Sequence, residues 1–253
     1  MISAQRISNI PSPALAQEYH LTQAQFHALG HCFATAMKFD PSLLVMRNSV
    51  LSTVITRGPA GGRAVLQADY SPLLKQPVSL AIVPEKATIK NMGLIRGAGD
   101  VRMSLETNGF CRISGDHTQM ALKTGPFPGE AYSALPDISW IGTALTGYDP
   151  KDLKKFIGNK SDAVQLAVYG DQLEQIGIHA RGRYTFTVGM AERLANRNPD
   201  TVLKSQIAFR YFSTKQSIQL GTANGRYFLQ VTNSFDIGVD LVVIECLGAV
   251  VTG

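Results

Sequence analysis

The predicted first helix carries the residues whose spacing best fits metal chemistry. His27 and His31 are four residues apart and would share one helix face, with Cys32 beside them. No glutamate lies between the two histidines and no obvious third ligand follows, so we favour a polar helix face over a metal site. The three cysteines, at positions 32, 111 and 246, are far apart and odd in number, which argues against a disulfide framework. We expect neither a metal ion nor a cofactor.

Two other groupings could carry catalysis, and each has a simpler structural explanation. The glycine-rich runs at 58–62 and 93–99 lack the lysine and hydroxyl residue that end a phosphate-binding loop, so we interpret them as turns. Ser114, Asp116 and His117 cluster near a predicted hairpin, but nothing resembles a nucleophile elbow or a base held by an acid. The sequence therefore predicts a protein without catalytic residues, which is not an enzyme.

Length and composition fit a soluble globular protein of one large or two small domains. The chain has 253 residues, of which 45% are hydrophobic and 17% are charged. Its longest apolar run contains Asp240 and Glu245, so no stretch reaches the roughly 18 apolar residues of a membrane span. Residues 1–20 lack the pattern of a secretory signal. We expect a cytoplasmic protein with no membrane partner.

Hydrophobic periodicity predicts four helices among many strands. Thr22 is a plausible N-cap for the first helix, Pro84 is suited to the first position of the second, and Asn108-Gly109 is a strong hairpin signal. The predicted helices span 22–38, 84–96, 150–158 and 213–223. The predicted strands are 49–56, 63–69, 77–83, 101–107, 110–115, 119–124, 138–145, 163–169, 173–180, 184–190, 206–212, 226–232 and 239–247, with one more within 1–10.

The order of these elements repeats along the chain. The units that begin near 82 and near 148 both contain a strand, a proline-started basic helix, an acidic residue and then alternating strands. One helix for every three or so strands indicates an α+β fold, with two helices covering one face of antiparallel sheets in each half. Three prolines in 126–137 exclude a helix or a central strand there. We predict two similar domains, 1–125 with an N-terminal arm at 1–20, and 138–253, joined by a connector at 126–137.

The positive charge of the chain is concentrated in the predicted helices. The chain has 24 Lys and Arg against 19 Asp and Glu, a formal charge of +5, and Glu85 and Asp152 are the acidic residues within the helical segments. A lysine-rich helical surface suits phosphates rather than base edges, although lysine is also a good helix former. The basic residues of the helices are Lys38, Lys86, Lys90, Arg96, Lys151, Lys154, Lys155 and Lys215.

These patterns resemble the DNA sliding clamps, the family of polymerase processivity factors. The segment 81–86, the helix after it and the hairpin at 101–115 resemble the clamp helix and the strands that follow it. The segment 127–137 resembles the linker between clamp domains, and 207–215 is similar to the strand-into-helix step late in two-domain clamps. The resemblance extends over about residues 22–247.

The resemblance implies a ring of head-to-tail subunits, with helices lining the hole and sheets forming the outer wall. A two-domain chain is similar to the trimeric clamps of eukaryotes, archaea and some phages, so a homotrimer is implied. The basic helix residues would face double-stranded DNA, and a DNA polymerase and a clamp loader would be partners. The compartment would be the cytoplasm, that of the host if the source is viral, or the nucleus if it is eukaryotic.

Clamps of this type recruit polymerases through a hydrophobic pocket beside the connector, near the C-terminus. By position, the candidates here are Leu44, Val45, Tyr132, Leu135 and Val250, although apolar residues at a domain junction are often simple core. Two alternatives stay open at this point. One is a DNA-binding protein that uses a basic helical face without encircling DNA, and the other is an oligomeric viral structural protein.

Overall fold

A computed structural model describes residues 15–57, 62–95, 100–145, 164–169, 175–180, 184–188, 201–205, 207–208 and 216–249. These residues form three antiparallel sheets and two short α-helices. Among them, no helix is long and apolar enough to cross a membrane.

The first half of the chain contains both described helices. Its elements are β1 (Leu15–Thr22), α1 (Gln23–Ala36), β2 (Leu44–Arg47), β3 (Val50–Arg57), β4 (Gly62–Asp69), β5 (Leu80–Ile82), α2 (Lys86–Asn91), β6 (Asp100–Glu106), β7 (Phe110–Ser114) and β8 (Gln119–Lys123). There are also three described 3-10 turns. One follows α1 (Met37–Phe39), one follows α2 (Met92–Leu94), and one lies in the connector (Glu130–Ser133).

The described part of the second half consists of strands. These are β9 (Ser139–Leu145), β10 (Val164–Tyr169), β11 (Gln175–Ala180), β12 (Tyr184–Val188), β13 (Thr201–Ser205), β14 (Gln216–Ala223), β15 (Arg226–Ser234), β16 (Asp240–Cys246) and β17 (Gly248–Ala249).

The strand order of the first half is repeated in the second. The sheet β1-β6-β7-β8 has its counterpart in β9-β14-β15-β16, and β5-β2-β3-β4 has its counterpart in β13-β10-β11-β12. The segments that follow β8 and β16 also correspond. Thr124, just after β8, bridges to Ile82 of β5, and Ala249, just after β16, pairs with Leu203 of β13. The strand order of one half is therefore repeated in the other, but this repeat matches β5, the strand before the unit near 82, with β13 and not with the strand before the unit near 148.

One sheet of eight strands joins the two halves. It runs β5-β2-β3-β4-β16-β15-β14-β9, and its centre is the antiparallel pairing of β4 with β16, from Arg63 opposite Cys246 to Ala68 opposite Leu241. One buried cluster contains side chains from both halves, including Phe33, Leu66 and Val243. The halves therefore share a sheet and a hydrophobic core.

The first helix begins where the sequence predicts. The Thr22 hydroxyl accepts a hydrogen bond from the Gln25 backbone N–H at 3.3 Å, and the Gln25 side chain accepts one from the Thr22 N–H at 2.9 Å. This reciprocal pair is a capping box, which satisfies N–H groups that a helix start leaves open. Phe26, Leu29 and Phe33 bury the inner face of the helix.

The helix predicted over 213–223 is wrong for the residues of β14. Ile218 and Leu220 are buried while Ser217 and Gln219 are half-buried, so the period over these residues is two. Asn224 and Gly225 have φ angles of 51° and 71°, which a two-residue hairpin turn requires, and they connect β14 directly to β15. The Asn-Gly dipeptide was the signal for this strand pair.

The strand predicted over 206–212 is also wrong where it is described. β13 ends at Ser205, and the buried Glu245 carboxylate accepts hydrogen bonds from groups at this end and just beyond it. These donors are the Ser205 hydroxyl at 2.6 Å, the Ile207 N–H at 3.1 Å and the Ala208 N–H at 2.8 Å. A carboxylate in β16 thus fixes the end of β13, which local sequence cannot show.

Other boundaries differ more modestly. The second helix begins at Lys86 rather than Pro84, with Glu85 in an extended N-cap conformation. The N-terminal arm contributes β1, which pairs with β6, whereas the strand predicted within 1–10 lies outside the described residues. The short strand β2 was not predicted, and the connector contains a 3-10 turn where no helix was expected. The predicted helix at 150–158 also lies outside the described residues.

Candidate functional site

The connector packs against strands β2, β3 and β4 of the eight-stranded sheet. At its start, the Arg47 guanidinium lies 4.5 Å from the centre of the Phe127 ring and donates a hydrogen bond to the Pro128 carbonyl at 2.7 Å. Cation–π contacts of this kind favour arginine over lysine, because the planar guanidinium can stack while it donates. Arg47 therefore fixes where the connector leaves the first half.

Further contacts hold the middle of the connector. The Val54 N–H donates to the Tyr132 hydroxyl at 3.4 Å, and the Ser52 hydroxyl donates to that of Ser133 at 2.6 Å. Arg63 in β4 donates to the Tyr132 carbonyl at 3.0 Å. These bonds reach from β3 and β4, so the connector is tied to the strand that also joins the two halves.

The end of the connector forms one wall of a pocket of about 820 Å³. We name it the connector pocket. Leu135 and Pro136 form the wall on the connector side. Val65 lines the pocket from β4, the first-half strand that pairs with β16. The remaining lining residues come from the second half and its joint with β4, and they are Gly62, Arg63, Lys204, Ala223, Asn224, Arg226, Phe228, Ile244, Glu245, Cys246, Leu247 and Gly248.

A small hydrophobic cluster underlies this pocket. Ala223, Phe228 and Ile244 are buried, and Leu135 and Ile138 of the chain around the connector's end pack against them. The pocket therefore has an apolar floor on the face of the joined sheet that is opposite the main core. Such a floor with a few polar groups at its rim is typical of a binding site.

The two described helices form a layer on the other side of the core, and they run antiparallel. Lys86 at the start of α2 lies 3.7 Å from Asp40, just after α1, and Gln23 at the start of α1 donates to the Ile95 carbonyl beyond α2 at 2.9 Å. Contacts at both ends are possible only if the helices point in opposite directions. His31 in α1 lies edge-on to Phe235 of the second half, with ring centres 4.8 Å apart. The pKa of His31 is lowered, mainly because the ring is partly buried and also because the positive charge of Lys38 lies nearby.

Several solved structures share this architecture over nearly the whole chain. PCNA from Thermococcus kodakaraensis matches with a TM-score of 0.56 at 13% sequence identity, and the match covers 91% of this chain and 99% of that one. The H. pylori beta clamp, in complex with 5-chloroisatin, matches with a TM-score of 0.56 at 9% identity, over 94% of this chain and 65% of that one. The chain has the sliding-clamp fold.

This similarity is one of fold, at low sequence identity. No protein-family model matches this clamp-fold chain, and no curated protein matches it. A third structure, the C-terminal region of FEN-1 bound to A. fulgidus PCNA, matches with a TM-score of 0.53 at 12% identity, over 93% of this chain and 99% of that one. The resemblance to clamps and the α+β fold inferred from the sequence are therefore confirmed as a likeness of fold.

The fold places four of the five predicted pocket residues in different environments. Leu135 lines the connector pocket, and Tyr132 is half-buried in the docked part of the connector. Leu44 and Val45 are only 0% and 2% exposed in β2, and neither lines the connector pocket. Val250 lies outside the described residues. The apolar residues that sequence reasoning missed come from β15 and β16, whose position beside β4 no local pattern reveals.

Three of the predicted DNA-facing residues are in the described helix layer. Lys38, Lys86 and Lys90 are all exposed, and the Lys86 side chain is 76% exposed. Asp40 pairs with Lys86 and offsets part of this charge, a neighbour that the count of helical charges missed. The other five, Arg96, Lys151, Lys154, Lys155 and Lys215, lie outside the described residues.

Potential metal ligands are not clustered in the described part of the chain. Cys32 is buried, whereas His27 is exposed and its Nε2 lies 2.7 Å from Nε2 of Gln23. Among the described residues, no group of three or more His, Cys, Asp and Glu side chains could hold a metal ion. The geometry around α1 is thus that of a helix face with local hydrogen bonds.

Cys246 should be the one thiol of the native protein that reacts readily. Cys32 and Cys111 are buried, and burial raises the pKa of both thiols, that of Cys111 to about 12. Cys246 is half-buried and lines the connector pocket. Because the thiolate is the reactive form, brief maleimide treatment at neutral pH should modify Cys246 alone, as read by peptide mass spectrometry. Equal labelling of Cys32 in native protein would contradict this assignment, and unfolded protein is the control in which all three should react.

Proposed function

We propose that this protein is a ring-forming sliding clamp that encircles duplex DNA and tethers a DNA polymerase to it, without catalysing a reaction. The observation that carries the proposal is the joint between the two halves. Inside the chain, β4 pairs with β16. The repeat counterparts of these strands are β12 and β8, and each is the last strand of its sheet.

These two edges are suited to each other in separate copies of the chain. Within the described residues, no strand pairs with the outer edge of β8 or of β12, and unpaired edges favour association. If β8 of one copy pairs with β12 of the next, the contact repeats the internal joint. Such head-to-tail contacts are heterologous and produce a ring when the rotation closes. Three chains with two repeats each would give six equivalent joints.

The helix layer supports the DNA-binding part of the proposal. It lies across the core from the connector pocket, and its exposed lysines can reach phosphates without reading bases. In a closed ring, such contacts would hold the duplex loosely and leave the clamp free to slide. The basic residues outside the described part, including Lys151 and Lys155, belong to the same proposed surface.

The connector pocket supports the tethering part of the proposal. We propose that a polymerase and a clamp loader bind there, on the outer face of the ring. One structure of the same fold, A. fulgidus PCNA, has the C-terminal region of FEN-1 bound. A chain terminus of a partner is therefore a suitable occupant for a pocket of this size.

The joint can be tested by cross-linking at the repeat-equivalent register. The turns Asn108-Gly109 and Asn224-Gly225 occupy equivalent places in the two halves. When they are aligned and the strand registers are followed, Gln119 takes the position of Ile244. The same procedure places Thr185 at the position of Val65, which is the residue opposite Ile244. Cysteines directly opposite in antiparallel strands are close enough for a disulfide. The variant Gln119→Cys with Thr185→Cys, in a Cys246→Ser background, should therefore oxidise into covalent trimers.

Denaturing electrophoresis and mass spectrometry read the result, with a trimer expected at three times 27.4 kDa, about 82 kDa. The matched control moves one cysteine by two residues, to Thr187, which keeps the face but lengthens the separation. Slower cross-linking of that control is expected. Equal yields from both pairs, or monomers only, would contradict the proposed joint.

Charge reversal on α2 tests the DNA-facing helices. Lys86→Glu with Lys90→Glu should weaken binding to duplex DNA and reduce its dependence on salt, because each lost phosphate contact removes a released counterion. The fold should persist, since exposed ion pairs such as Lys86 with Asp40 contribute little. Fluorescence anisotropy over a salt series measures the effect. The control is Lys75→Glu, an exposed lysine outside the helices; an equal loss in this variant would show a non-specific effect of net charge.

A further inference from the structure

We propose that the connector pocket selects a partner segment whose apolar residues are flanked by acidic ones. This inference rests on the proposed role of the pocket in binding partners, and it adds the chemistry of the segment. It is carried by the distribution of charge around the pocket. Three basic side chains stand at its rim, from three different strands, and its floor is apolar.

The three cations are Arg63 of β4, Lys204 of β13 and Arg226 at the start of β15, and all are exposed. They come from both halves of the chain and meet only because β4 joins β16 and β13 pairs with β17. Arg63 donates one hydrogen bond to the connector, to the Tyr132 carbonyl. Among the described residues, no carboxylate forms an ion pair with any of the three.

The acidic residue that lines the pocket does not offset this charge at the rim. Glu245 is 1% exposed, and its carboxylate accepts hydrogen bonds from Ser205, Ile207 and Ala208. Asp137 of the connector lines a neighbouring cleft that shares Ala223, Asn224 and Arg226 with the connector pocket, but it forms no ion pair with Arg226. A positive rim therefore surrounds the apolar floor.

This combination fits a peptide better than a nucleic acid. Phe228 and Ile244 contribute apolar surface that phosphates and sugars cannot match, and the Leu135 wall closes the pocket on one side. Apolar side chains of a peptide can be buried there, and flanking carboxylates can reach the rim cations. Complementary charge of this kind mainly affects specificity and association rate.

The test uses the full-length protein and three synthetic peptides with the same centre of leucine and phenylalanine residues. Their flanks consist of three glutamates, three serines or three lysines on each side. Fluorescence anisotropy gives the affinity of each peptide at low and high salt. Protection of Cys246 from maleimide shows whether a peptide occupies the pocket, because this thiol lines it.

We expect the glutamate-flanked peptide to bind most tightly and to protect Cys246. The double variant Lys204→Glu with Arg226→Glu should weaken it by about threefold to tenfold at low salt and strengthen the lysine-flanked peptide. Higher salt should reduce both differences. The control is again Lys75→Glu, which changes a lysine away from the pocket and should have no effect.

The other outcomes separate this inference from the proposed function. If all three peptides bind equally and protect Cys246, charge selection is wrong and the pocket remains a partner site. If no peptide binds or protects Cys246, both the selection and the partner role of the pocket are wrong. If a short DNA duplex displaces the glutamate-flanked peptide and protects Cys246 equally well, the pocket belongs to a DNA-binding surface and the inference fails.

Discussion

The pairing of β4 with β16 is the interaction on which the rest of this structure depends. It joins two repeated sheets into one of eight strands and places the two halves over a shared core. The same pairing brings the connector, β13 and the β14–β15 turn around one pocket. It also leaves the equivalent strands, β8 and β12, at the edges of their sheets, which is the geometric basis for expecting further copies to add head to tail.

The two faces of the joined sheet carry different chemistry. One face holds the main core and the antiparallel helices with their exposed lysines, which suit a polyanion. The other holds the connector, tied down by Arg47 and Arg63, and the apolar floor built on Phe228 and Ile244. A ring assembled through the sheet edges would keep these faces apart, so DNA and a protein partner could be bound at the same time.

Local patterns in the sequence predicted what depends on local physics. The N-cap at Thr22, the hairpin at Asn108-Gly109 and the alternation in β6 are all properties of neighbouring residues. Long-range pairings could not be predicted in this way. The buried Glu245 ends β13 from another strand, and the pocket residues of β15 and β16 acquire their role only beside β4. The helix assigned to β14 failed because its short apolar run was ambiguous and the Asn-Gly turn after it was overlooked.

The most direct test of the central claim is retention on circular against linear DNA. Rings sealed by the cysteine pair across β8 and β12 would be formed in the presence of nicked circular plasmid and then separated by gel filtration in high salt, which removes electrostatic binding. The account predicts that sealed protein elutes with the circle and is lost when a restriction enzyme linearises the DNA. Equal retention on circular and linear DNA, or none on either, would contradict encirclement.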